Sequence, residues 1–156
     1  MLVMYLLEER GMKVEFADES MPGVDLIATE QKKDEEKKYA ITLVRRNIPD
    51  AESKQVLFEK DSINKLETTA KKLGYIPMAV FVIIDTMESS KKFRFVRVDL
   101  EKLFKMCENQ ETPYVNYAAD GQGIWLNYNK SVNVNWLDEI ISNNKVDYME
   151  AQINYR

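Results

Sequence analysis

One aspartate stands where chemistry could begin. In "PGVDLIATEQKKDEEKKYAITLVRR", Pro22 to Arg46, Asp25 enters an apolar stretch directly after Pro-Gly, and a second apolar stretch follows a charged run. This is the rhythm of a metal site: a strand with an aspartate near its start, a turn, and a second strand. A carboxylate there could ligate a hard cation. It could equally hold the turn, because aspartate side chains accept hydrogen bonds from nearby backbone N–H groups. Both readings stay open on the residues alone.

Composition narrows the chemistry further. The 156 residues include no histidine and one cysteine, Cys107. Serine–histidine and cysteine–histidine nucleophile pairs are therefore excluded, and a structural zinc site nearly so. Any metal would be an oxygen-bound ion such as magnesium. A single cysteine forms no internal disulfide, which fits a reducing, cytoplasmic setting. The net charge of −4 argues against a general nucleic-acid coat. A local basic groove stays compatible with it, since net charge averages over faces. No run approaches ~18 apolar residues, so no transmembrane helix is expected. The opening "MLVMYLLEERG" lacks a basic leader and a cleavage site, so no secretory signal is expected either.

The elements that would position Asp25 can be read from periodicity. Residues 1–10 read as a helix with Leu2, Val3, Leu6 and Leu7 on one side, closed by Gly11. "MKVEF" alternates as a strand with Met12, Val14 and Phe16 on one face. Residues 24–29 and 39–45 read as two further strands around the charged tip "EQKKDEEKK". Residues 49–53 read as a loop. Ile63, Leu66, Ala70 and Leu73 recur at helical spacing, with Asp61 or Ser62 as the cap and Gly74 as the stop. "IPMAVFVII" is apolar throughout, as in a central strand covered on both faces. "KKFRFVRVDL" reads as a neighbouring or edge strand, and Asp99 as the cap of a helix to about Cys107. Beyond Asn109, "GQGIWLNYN" reads as a strand and "VNWLDEIISNN" as a short helix. Tyr114, Tyr117, Trp125, Tyr128 and Trp136 make this last third aromatic, which suits core or interface as well as base stacking. The expected architecture is α/β: a mixed sheet flanked by helices, in one domain over 1–156, with a core to about 108 and an extension over 109–156.

Three stretches carry a resemblance. "LLEERGMKVEF", "GVDLIA" and "FEKDSINKLETTAKKLGYIPMAVFVI" follow in the order seen in the PD-(D/E)XK, or restriction-endonuclease-like, superfamily. Within it the chain resembles the archaeal-type Holliday-junction resolvases, over roughly residues 1–84. The resemblance implies magnesium-dependent hydrolysis of DNA phosphodiesters, with an aspartate and a glutamate on the metal and a lysine two residues beyond the glutamate. Asp25 matches the aspartate. The glutamate position falls on Thr42 and the lysine position on Val44. The resolvases' first-helix glutamate has no counterpart, because counting back from Gly11 places it before Met1.

The resemblance therefore carries over one site residue, Asp25. Arg46 shares the face of Thr42 and Val44 by alternation and could supply charge, but arginine is no base at neutral pH. Glu59, Asp61 and Lys65, at or on the following helix, could act as relocated partners. Helix capping and a solvated helix face account for those three without any site. The expected function is thus a restriction-endonuclease-like protein, impaired or inactive in cleavage, that binds nucleic acid or serves assembly. Beside it stand a magnesium-dependent endonuclease using Asp25 with relocated partners, and a structural homodimer without a nucleic-acid role.

Overall fold

The structure, a computed structural model, describes residues 2–48, 55–86, 88–112, 114–127 and 146–155. The loop expected at 49–53 and the helix expected at 134–144 lie outside the described residues, as do Tyr128 and Trp136.

The chain begins with helix α1 (Leu2–Glu9) and an antiparallel meander of β1 (Met12–Phe16), β2 (Leu26–Lys32) and β3 (Glu35–Ile48). The charged tip becomes a two-residue turn at Lys33–Asp34. Its flanks continue the ladder from Lys32↔Glu35 to Leu26↔Ile41. A short strand β4 (Gln55–Glu59) runs directly into α2 (Lys60–Leu73). Helix α2 then leads to β5 (Ile76–Thr86), which lies parallel to β3 from Tyr39↔Ile76 to Ile48↔Asp85. β6 (Ser90–Asp99) returns antiparallel and leads to α3 (Leu100–Glu108). β7 (Val115–Tyr117), β8 (Gly123–Asn127) and β9 (Asp147–Asn154) complete the described elements.

Two sheets result. The main sheet has the order β1-β2-β3-β5-β6-β9, and the small one β4-β8-β7. β5 is central, as its unbroken apolar run implies. Alternation divides it between two cores: Ala79, Phe81 and Ile83 face one, and Val80 and Val82 the other. The first core is closed by α2, α3 and the small sheet, with Phe58 of β4 meeting Phe81 edge to face at 6.0 Å. The second is closed by α1 through Val3 and Leu7. Burial fades toward the edge of β1, where Phe16 is 63% exposed although it shares the face of buried Met12. No helix among the described residues is long and apolar enough to cross a membrane.

The start of α2 differs from the expected cap. Neither Asp61 nor Ser62 occupies the cap position. Glu59 does, without a side-chain cap bond. The small sheet is the reason: the Lys60 N–H donates to the Gln122 carbonyl at 2.8 Å, so a neighbouring loop satisfies a helix N–H that a cap would otherwise serve. At the other end Gly74, at φ 74°, closes the helix, and the Tyr75 N–H reaches the Ala70 carbonyl at 2.9 Å.

Candidate functional site

The loop before β2 is fixed by its contact with α2. Gly23 has φ +76°, and a Cβ there would lie 2.6 Å from the Lys65 Cβ and 2.9 Å from the Leu66 nitrogen. Only glycine fits such an approach. One residue earlier, the Thr69 hydroxyl donates to the Pro22 carbonyl at 2.6 Å. Pro-Gly is therefore a helix-docked turn, and Val24 is buried beneath it.

That turn places Asp25 where the β2–β3 ladder ends. The Asp25 N–H donates to the Ile41 carbonyl at 2.8 Å, and the Asp25 carbonyl accepts from the Ala17 N–H at 3.0 Å. The carboxylate crosses to β3, where Oδ2 accepts from the Leu43 N–H at 2.7 Å and from the Thr42 hydroxyl at 3.4 Å. A strand N–H beyond the last pair of a ladder needs an acceptor, and the side chain supplies it. The side chains of Asp25 and Thr42 thus converge, with Thr42 buried and Val44 buried two residues on.

The remaining sequence-derived candidates are dispersed. Arg46 is exposed on β3, four residues beyond Thr42. Glu59 ends β4 and is exposed. Asp61 and Lys65 pair with each other at 3.1 Å on the exposed side of α2, an i,i+4 pair. Among the described residues no three His, Cys, Asp or Glu side chains group closely enough to hold a metal ion.

The donor set at Asp25 does not fit magnesium. The ion takes an octahedral shell of oxygens, normally with one or two protein carboxylates and water or phosphate completing it. Here the one carboxylate spends Oδ2 on a backbone N–H, and the adjacent hydroxyl points its hydrogen at the same oxygen. Val44, two residues beyond Thr42, binds neither metal nor water.

A second polar group is harder to see in sequence. Asp85, at the end of β5, and Arg94, on β6, are both buried and form an ion pair. Beside them the Tyr148 hydroxyl donates to Glu150 at 2.7 Å, and Lys92 lies 3.6 Å from Glu150. Burial, then Glu150, pushes the Tyr148 hydroxyl upward, while the bond from Tyr148 holds Glu150 below its ordinary value. The signal available was alternation, which puts Arg94 on the same face as Val96 and Val98. The thiol of Cys107 is buried and pushed up to about 11 by desolvation, then by Glu108, so it is not a nucleophile near neutral pH.

No protein-family model matches the sequence, and no curated protein does. Among solved structures the chain is similar to a Holliday junction resolvase from Archaeoglobus fulgidus, an archaeal hyperthermophile. The identity is 13% and the TM-score 0.48, over 80% of this chain and 84% of that one. The meander, the crossover through α2 and the parallel β3–β5 pair make this chain a mixed α/β sheet flanked by helices, the architecture expected from the sequence.

Proposed function

We propose that this protein keeps the frame of a phosphodiester-cleaving site without its metal-binding and water-positioning groups, and acts as a nucleic-acid-binding or assembly module. One observation carries the reading: the Asp25 carboxylate serves as a hydrogen-bond acceptor for β3, at Leu43 and Thr42. A residue so employed contributes to the sheet, and the valine at the lysine position adds packing in place of charge. DNA is the partner in this reading, with magnesium dispensable for binding. A cytoplasmic location follows the single cysteine, and a homodimer follows the resemblance. Cationic residues near the end of β3, Arg45 and Arg46, favour nucleic acid over a purely structural role.

Fluorescence anisotropy with labelled branched and linear DNA tests the reading, in magnesium and in a chelator. Binding of similar strength in both conditions is the expected result. Failure to bind any DNA would remove the nucleic-acid role and leave the structural homodimer, which sedimentation would then reveal.

A further inference from the structure

At the carboxyl ends of the parallel neighbours β3 and β5 the sheet edge forms a concavity of about 530 Å³, lined among others by Arg45, Arg46, Lys91, Thr86, Ile84 and Phe93. Its volume falls within the ~300–1,000 Å³ of small-ligand sites. Crevices outside the carboxyl ends of parallel strands are common ligand positions in α/β sheets. Arg46 lies four residues along β3 from Thr42, or ~13 Å, so the concavity is distinct from the surroundings of Asp25.

Its charge is one-signed. The chain carries −4 overall, yet the described lining holds three cations and no carboxylate. None of the three forms an ion pair among the described residues. Of the described acids near it, Asp85 pairs with Arg94, and Glu150 with Lys92 and the Tyr148 hydroxyl, while Glu88 lies in the β5–β6 turn outside the lining. Like charges gathered without counter-charges repel one another, and an anion in their midst relieves that repulsion. Arginine forks suit phosphate in particular.

The rest of the lining joins the polar Asn47 and Thr86 to the apolar Ile84 and Phe93. Phe93 is half-buried and stacks on Phe95, with centroids 6.3 Å apart and planes 5° from parallel. Ile84, its cross-strand partner, is half-buried beside it. A ring held by packing on one side offers its remaining surface to a flat ligand at little entropic cost.

We propose that this concavity binds a nucleotide unit, its phosphate among Arg45, Arg46 and Lys91 and its base against Phe93 and Ile84. The assignment deepens the nucleic-acid reading above and rests on it. The unit could belong to a single strand or be a free nucleotide, and both present the same chemistry.

The test uses the full chain with a labelled oligothymidylate, with free dTMP as competitor, and with phosphatidylserine vesicles as a separate probe. The variant Arg45→Gln/Arg46→Gln/Lys91→Gln should weaken oligothymidylate binding about tenfold or more. It should also flatten the dependence of log affinity on log salt by ~0.7, the value for one single-strand phosphate contact. Phe93→Leu should weaken binding about fivefold or more with the salt dependence unchanged. Matching thermal melts show that each variant is folded. Competition by dTMP at concentrations near its own affinity supports a free-nucleotide site, and its failure to compete supports a strand-bound unit. Undiminished oligonucleotide binding by both variants would overturn the site while leaving the nucleic-acid reading intact. No oligonucleotide binding at all would overturn both. Vesicle binding without oligonucleotide binding would overturn both in favour of an anionic surface.

Discussion

The carboxylate of Asp25 accepts a 2.7 Å hydrogen bond from the backbone N–H of Leu43, across the point where the β2–β3 ladder stops. The side chain extends the sheet by one bond. Asp25→Ala should therefore cost stability, by about 1.5–3 kcal/mol, the scale of a hydrogen bond to a charged acceptor. Asp25→Asn should retain part of that, because its amide oxygen can still accept. Urea melts of the three proteins check this. An Asp25→Ala variant as stable as the parent would show that the carboxylate has no structural task.

The turn that delivers Asp25 gives a sharper comparison between two glycines. Gly23 and Gly74 both have positive φ, near +76° and +74°. A Cβ on Gly74 meets nothing within 4 Å, whereas one on Gly23 strikes Lys65 and the backbone of Leu66. Gly74→Ala should cost only the left-handed backbone strain, ~1–2 kcal/mol. Gly23→Ala should cost that and more, since the helix backbone cannot give way cheaply. Equal losses in denaturant melts would contradict the helix-docked turn.

Phe58 and Phe81 join the two sheets. Phe81 is 1% exposed at the centre of β5, and its edge-to-face partner is equally buried. Phe81→Ala should destabilise the protein by about 3–5 kcal/mol. A double-mutant cycle with Phe58→Ala should return a coupling of ~0.5–1.5 kcal/mol. A loss below ~1 kcal/mol for Phe81→Ala would show that β5 is not central.

Asp99 introduces a pH dependence. It occupies the cap position of α3 without a side-chain cap bond, and burial raises its pKa, opposed by Arg97 and Lys102. A carboxyl group whose folded pKa lies above its unfolded value binds its proton more tightly when folded. Its contribution is therefore most favourable at low pH and declines as pH rises from about 3.8 through the folded value. Asp99→Asn should raise the melting temperature at pH 7, and the advantage should vanish in acid, where both side chains are neutral. A destabilised Asp99→Asn at neutral pH would mean that the cations outweigh burial.

Much of this fold was legible because its elements obey local periods. The meander announced itself by alternation, α2 by Ile63, Leu66, Ala70 and Leu73, and β5 by its apolar run, all of which the structure places as read. β4 and β9 were not legible. In β9 Met149, Ala151 and Ile153 alternate with polar residues, but the strand ends the order of the main sheet, Ile153 is exposed, and its pairing partner β6 is remote in sequence. β7, with three residues, is too short to show a period. At Asp25 the sequence showed an aspartate entering a strand, and the resemblance alone set Thr42 and Val44 against it. It could not reveal that the carboxylate would accept from the Thr42 hydroxyl and from the Leu43 backbone N–H, seventeen and eighteen residues away, because those bonds depend on register. The cations of the β3–β5 end were hidden for the same reason: Lys91 is far from Arg45 and Arg46 in sequence, and only strand pairing brings them to one concavity.

The central claim is that this frame does not cleave DNA, and strand scission measures it most directly. Labelled branched and linear DNA would be incubated with the protein in magnesium and in manganese, alongside Asp25→Ala. The absence of a second motif carboxylate and of the lysine removes groups that are commonly worth ~10² to 10³ in rate each. The account predicts no metal-dependent product above the level of the Asp25→Ala control. Metal-dependent cleavage by the parent that disappears in Asp25→Ala would contradict it, and would establish a working site built on Asp25 with partners drawn from elsewhere in the chain.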